Sequence, residues 1–419
     1  MKLWAGKGAS LASPRLVLAI LLEAFLSRRA LVGVAFAAAL TTPLALAGTA
    51  GASPGSTGIG HRSARVCGPA APGTAACSAL VRVNASGQPA VTSAPSGYGP
   101  ADLQSAYNLP SATAGAGQTV AIVDAYNDPN AESDLGVYRS TYGLPACTTA
   151  NGCFNKVNQN GVAGSYPKND GGWSQEISLD LDMVSAVCPN CHILLVEASS
   201  TSFANLGAAV NTAANLGAQA ISNSYGGSDA SDGSYGQYYN HPGHAITVSS
   251  GDNGYGVEYP ASSQYVTAVG GTHLTRSAAA RGWTESAWSG AGSGCSAYNA
   301  KPSWQTDAGC AKRTVADVSA VADPNTGVAV YDSYAYRGSS GWMVFGGTSV
   351  ASPIIASVYA LAGNATSVTY GSYPYSHTGS LNDVVGGSNG TCTTTYLCTA
   401  VHGYAGPTGL GTPNGSAGF

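Results

Sequence analysis

Apolar residues in this chain fall into short, dense runs separated by stretches of helical spacing. Residues 118–124 (Q-T-V-A-I-V-D), 193–197, 220–224, 245–249, 265–269 and 328–331 are such runs, each bounded by turn residues. Runs this short and this apolar predict strands covered on both faces. Between them, residues 102–107, 129–138, 176–187 and 203–216 read as helices, and 233–241 as helix or loop. A further helix follows residue 349, through 354–362. Strands alternating with helices predict an α/β domain over residues 97–419, with a mostly parallel central sheet and helices on both faces. In such sheets ligands bind beyond the carboxyl ends of the strands. Asp124, residues 224–227 and the pair Gly251-Asp252 fall at such ends.

Upstream of residue 97 the texture changes. Residues 53–96 are rich in Pro, Gly, Ala and Ser and read as a short leader or linker. Arg28 and Arg29 precede an apolar run at 30–40, followed by T-T-P at 41–43 and then small residues. That order predicts a signal peptide over residues 1–52, hence export. An earlier run at 16–26 is broken by Glu23, and neither run reaches bilayer-spanning length. A secreted, extracellular protein with no membrane association after signal removal is therefore expected.

Composition narrows the function classes. Only 9% of residues are charged and the formal net charge is -4, so no basic patch points to nucleic acid. A polar but uncharged surface changes little as pH falls, which suits an acidic extracellular habitat. The 10 cysteines fall into near neighbours: Cys67 and Cys77, Cys147 and Cys153, Cys188 and Cys191, Cys295 and Cys310, Cys392 and Cys398. Five local disulfides in an oxidising compartment is the simplest reading. C-x-x-C at 188–191 is also a zinc or redox signature, but no second C-x-x-C completes a four-cysteine site.

Candidate chemistry begins at residues 346–353, G-G-T-S-V-A-S-P. Ser349 stands on a glycine-rich turn opening an apolar helix, where free backbone N–H groups favour developing negative charge. A plain helix N-cap has the same look. Ala351 replaces the second glycine of a G-x-S-x-G elbow. A serine nucleophile needs a proton acceptor, and none of the 7 histidines lies in the H-G-T context of a histidine base. Glu176 and Asp180 are four apart and share one helix face. Two carboxyls that close titrate apart, so one can be ionised while the other is neutral. An acidic helix start would also account for them. Asp182 points elsewhere. Asp252, in S-S-G-D-N-G at 249–254, is an ordinary turn residue or, when protonated, a donor. The strand end S-N-S-Y-G-G at 222–227 can pair with an extended peptide.

Taken together, G-T-S-V-A-S-P, the E-x-x-x-D pair followed by V-S-A-V-C-P, S-G-D-N-G, P-A-S-S at 260–263 and V-T-A-V-G-G-T at 266–272 resemble the sedolisins. These are serine-carboxyl peptidases related to the subtilisins. The resemblance covers residues 97–419 and implies a subtilisin-like fold and a secreted endopeptidase, acting on polypeptides in acid, as a monomer. It implies Ser349 as nucleophile, Glu176 as base, Asp180 as its partner and Asp252 as oxyanion donor. Ser224, Tyr225 and Gly226 would bind substrate, Tyr225 standing where the family has Trp. Calcium would involve Asp383 and Val384, but Ala405 stands where a second aspartate belongs. Two further departures are a leader too short for the family's long propeptide and Asp124, which resembles the start of the subtilisin aspartate motif. A catalytically silent binding protein on the same scaffold, or an esterase using the same serine, are the competing expectations.

Overall fold

The central strands form where β-branched and apolar residues run without interruption and bury completely. The structure, a computed structural model, describes residues 61–419. The expected signal peptide at 1–52 lies outside the described residues. The chain opens with β1 (Ser63–Arg65), β2 (Ala76–Cys77), β3 (Leu80–Arg82), α1 (Pro100–Ala106), β4 (Thr119–Ala125), α2 (Ala131–Thr141) and β5 (Phe154–Asn158). It continues with α3 (Gly171–Val187), β6 (His192–Ala198), α4 (Phe203–Asn215), β7 (Ala220–Asn223), β8 (Tyr225–Ser228), α5 (Asp232–Tyr235), β9 (Ala245–Ser249) and β10 (Glu258–Tyr259). Then come β11 (Thr267–Arg276), β12 (Trp283–Ala287), β13 (Gly294–Cys295), β14 (Thr314–Val315), β15 (Val318–Val321), β16 (Val328–Tyr336), β17 (Ser339–Gly346) and α6 (Thr348–Ala362).

The main sheet runs β12-β11-β9-β7-β4-β6-β5, with β15 also pairing β11. Every pair from β11 to β5 is parallel, and only β12 is antiparallel. Helices α3 and α6 pack on each other and on the sheet, while α4 packs on β4 and β6. This is the expected α/β class with a mostly parallel central sheet. Strand order and parallel pairing bring the carboxyl ends of β4, β7 and β9 together, and the site forms there.

Differences from the sequence reading have local causes. Helix α3 begins at Gly171 rather than Glu176, because the Asp170 side chain accepts from the N–H groups of Gly172 (3.0 Å) and Trp173 (3.1 Å). The strand expected at 265–269 is the longer β11 (Thr267–Arg276), extended past Val269 by pairing with β12 and β15. Segment 233–241 is a short helix followed by a 3-10 turn.

The largest difference lies upstream of residue 97. Segment 61–96 is no linker: β1 and β3 pair with each other, β3 pairs with β17, and β2 pairs with β8. Val66, Cys77, Ala79 and Val81 join the main core. Paired main chain and buried apolar side chains hold this segment to the domain. Five disulfides join Cys67–Cys77, Cys147–Cys153, Cys188–Cys191, Cys295–Cys310 and Cys392–Cys398. Cys188 and Cys191 are therefore a disulfide rather than half of a zinc site.

Candidate active site

Helix α3 presents Glu176 and Asp180 one turn apart on a helix that is buried from Gly172 onward. The Ser224 hydroxyl, at the break between β7 and β8, lies 2.9 Å from Asp180 Oδ1 and 3.3 Å from the Ser349 carbonyl oxygen. Ser349 is the second residue of α6, and its hydroxyl donates to the Ser224 carbonyl at 3.2 Å. Gly347, at φ 103°, turns the chain into α6. A Cβ there would fall inside contact distance of the Ser78 carbonyl oxygen and Asp252 Oδ2, so only glycine lets these groups converge.

Asp252 follows β9 and its carboxyl is tied to the same turn. Its Oδ1 accepts from the Thr348 N–H (2.7 Å) and the Thr348 hydroxyl (2.9 Å), while Oδ2 has no partner. Burial raises its pKa to about 7, against the opposing effect of the Thr348 bonds. At acid pH this carboxyl is neutral, and its free oxygen is available to carry a proton. The Ser349 N–H points at the same spot, donating to the Ser78 carbonyl at 2.9 Å.

Glu176 has no well-formed hydrogen bond to either carboxyl oxygen. Burial pushes its pKa well up, and so do Asp180 and Asp124, while the neighbouring Ser349 hydroxyl acts in the opposite direction. Asp180 is likewise raised by burial and then by Asp124, with the Ser224 bond opposing. Asp124, at the end of β4, has both oxygens unpartnered and is raised to about 8 by burial and by Glu197 beside it. Three buried carboxyls thus share one apolar region and cannot all be charged.

These raised values make a stability prediction. Asp124, Asp252 and the buried Asp332 of β16, raised chiefly by burial, are neutral more readily folded than unfolded, with folded pKa values of about 8, 7 and 8. Their contribution is full below the unfolded carboxyl range and is lost as pH rises through the folded values. The thermal midpoint is expected to be higher at pH 4 than at pH 8.5, measured by circular dichroism. A midpoint that rises over that interval contradicts the neutral-carboxyl assignment.

The structure brings Glu176, Asp180, Ser224, Asp252 and Ser349 together. Tyr225 does not join them as a side chain: it is fully buried, and its hydroxyl donates to Asn223 Oδ1 at 2.9 Å. Asp182 instead accepts from the Tyr331 N–H at 3.0 Å, tying α3 to β16. His241, His244, His273 and His402 are engaged with Asn211, the Ala218 carbonyl, Asp323 and Asp383.

Several residues here carried no recognisable signal in the sequence. Arg65 reaches Asn253 Oδ1 (2.6 Å) and the Asp252 carbonyl (3.2 Å) from a segment read as linker. Glu258 forms one wall of a cavity of ≈ 320 Å³ that also touches Arg65, Ser78, Gly226 and Asp252. Burial raises its pKa, opposed by the Asn253 bond and Arg65. A Cβ on Gly226 would strike the Glu258 carboxyl, so glycine keeps the cavity open.

Around Asp383 and Val384, the position beside Val384 that would carry a second carboxylate is Ala405. The Asp383 carboxylate takes the Gly403 N–H (3.2 Å) and lies 2.9 Å from His402 Nδ1. Val384 is buried in a small apolar cluster with Ala405, which offers no side-chain oxygen.

Comparison with known proteins agrees with this architecture. The sequence profile of the subtilase family matches residues 159–370. Kumamolisin of Bacillus sp. (strain MN-32) is 28% identical over 304 residues, which is 64% of this chain and 52% of that protein. Sedolisin of Pseudomonas sp. (strain 101) is 26% identical over 338 residues, 70% of this chain and 56% of that protein. The chain therefore spans about half the length of these curated relatives. Among solved structures, Pseudomonas sedolisin (serine-carboxyl proteinase) complexed with two molecules of pseudo-iodotyrostatin superimposes with a TM-score of 0.63 at 27% identity. That match covers 76% of this chain and 96% of the sedolisin chain. With a family-wide match over half of its length and sedolisins among its relatives, the chain belongs to the subtilase family.

Proposed function

We propose that the chain is a secreted serine endopeptidase of the serine-carboxyl type, active in acid. The observation that carries this reading is convergence on one peptide carbonyl. The Ser349 N–H donates to it, the unpartnered Asp252 oxygen and this carbonyl both border Gly347, and the Ser349 hydroxyl lies beside the buried Glu176.

In this mechanism Ser349 Oγ attacks the scissile carbonyl as Glu176 takes its proton. Asp180, which accepts from the Ser224 hydroxyl, carries the one proton of the pair, so that Glu176 is the ionised partner able to accept from Ser349. The developing oxyanion accepts from the Ser349 N–H and from protonated Asp252. Glu176 then returns the proton to the leaving amine, and water hydrolyses the acyl ester by the reverse sequence. Main-chain pairing along Ser224, Tyr225 and Gly226 supplies substrate alignment without reading side chains. Five disulfides support an oxidising, extracellular setting.

A pH profile tests the oxyanion assignment. Because Asp252 donates only when protonated, kcat is expected to fall as pH rises through about 7. Asp252→Asn supplies an amide donor at every pH, so its neutral-side decline should disappear. If wild type and Asp252→Asn lose activity over the same interval, Asp252 is not the donor. The function itself is tested by hydrolysis of a denatured protein, scanned from about pH 2 to 8, beside Ser349→Ala. Equal turnover by both proteins rejects the serine mechanism.

A further inference from the structure

The carbonyl that the active-site groups converge on belongs to the chain itself. It is that of Ser78, in the segment that the sequence presents as a leader. On the amino side of Ser78, Ala76 and Cys77 pair antiparallel with Gly226 and Tyr225 of β8. The Ser78 N–H donates to the Ser224 carbonyl at 3.1 Å, and its carbonyl accepts from the Ser349 N–H at 2.9 Å. On the carboxyl side, Leu80 and Val81 pair antiparallel with Gly346 and Phe345, just before the nucleophile turn. The chain thus enters along β8, passes the Ser349 N–H at Ser78 and leaves along β17.

We infer that residues 75–80 form a built-in occupant of the substrate cleft, a braced strap that any external peptide must displace. An extended peptide using β8 and the Ser349 N–H needs the hydrogen-bonding groups that the strap already holds. Both cannot be bound at once. The inference rests on the proposed peptidase reading for the identity of the cleft.

Three features hold the strap in place. The Cys67–Cys77 bridge fixes the residue preceding Ser78. Pairing of Ser63, Ala64 and Arg65 with Arg82, Val81 and Leu80 joins the chain on the two sides of Ser78 into a closed loop. Arg65 anchors that loop to Asp252 and Asn253. Burial follows: Cys77 and Ser78 are 3% exposed and Ala79 is 0% exposed. The side chains are small, however. Ser78 borders the ≈ 320 Å³ cavity, whose walls are in part the strap's own loop at Arg65, Gly68, Pro69 and Ala70.

The test reads cleft occupancy without needing catalysis. A fluorescein-labelled peptide, T-A-A-S-S-A-L-V-R, copies residues 74–82 with serine for Cys77. Its affinity is measured by anisotropy for Ser349→Ala and for Ser349→Ala carrying Cys67→Ser and Cys77→Ser. If the bridge keeps the cleft filled most of the time, removing it tightens binding at least about ten-fold. Equal affinities, including no binding in either, overturn the inference. If the bridge-free protein does not fold, a foreign protease site is placed in the exposed 68–73 turn of Ser349→Ala with the Cys67–Cys77 bridge intact, cut after folding and the bridge then reduced. The same ten-fold gain is expected after both steps, and no gain overturns the inference. Turnover is scored separately in the Ser349 protein. A chain that shows the affinity change but never cleaves keeps the strap and loses the peptidase reading.

Discussion

Glu176→Gln is expected to lower kcat on a denatured protein by about 10³–10⁴-fold while leaving the fold unchanged. Glutamine keeps the volume of the side chain on the buried face of α3, so packing is preserved. Its amide cannot accept the Ser349 proton, and a serine without a base is a poor nucleophile. Folding should not suffer, because neither Glu176 carboxyl oxygen makes a hydrogen bond that the change would break. Ser349→Ala should cost about as much, and the double variant little more, because the two groups act as a unit. The checks are single-turnover rates at acid pH and a melting curve. Activity within about threefold of wild type would remove Glu176 from the mechanism, since a positioned base contributes about 10²–10⁴-fold.

The largest stability effect is expected far from Ser349. Asp317→Ala should destabilise the domain by about 3–5 kcal/mol, because it leaves a charged guanidinium buried without its partner. Arg313 and Asp317 form a two-pronged ion pair in which both side chains are fully buried. Arg313 also donates to the carbonyls of Ser263 (3.1 Å) and Thr314 (2.7 Å). Asp317 accepts from the Ala268 N–H (2.7 Å) and the Tyr375 hydroxyl (2.8 Å). The pair therefore joins β11 to the approach to β15 and to the C-terminal turns. Burial alone would lower the Arg313 pKa, but Asp317 more than reverses it. Guanidinium unfolding of Asp317→Ala beside Asp317→Leu/Arg313→Met separates the cases. The double variant should lose much less than Asp317→Ala, since it leaves no unpaired charge. Equal losses would show that the pair matters for shape rather than charge.

Much of the molecule was legible in the sequence, for identifiable reasons. Buried parallel strands such as residues 245–249 announce themselves, because burial on both faces demands an unbroken apolar run. Glu176 and Asp180 stood out because carboxyls at helical spacing inside an apolar helix need a reason. Ser349 and Asp252 sit on glycine-marked turns. The short strands of segment 61–82 were missed because two- and three-residue strands hold too few residues for periodicity to register. Their pairing partners, in β8 and β17, are more than 140 positions away in the chain. Tyr225 was assigned to substrate from the neighbouring motif. A single position cannot show which face of a strand looks inward, and the structure turns this hydroxyl toward Asn223.

The closed loop formed by β1 and β3 also bears on how activity is measured. A tethered ligand confronts its site at an effective concentration that reaches millimolar for a short connection. The Ser78 segment is anchored on both sides, so it re-enters the cleft far faster than a peptide supplied at micromolar levels. An assay with dilute small peptides would then report a high apparent KM and a weak enzyme. The cause would be the geometry of residues 63–82, with Ser349, Glu176 and Asp252 fully competent.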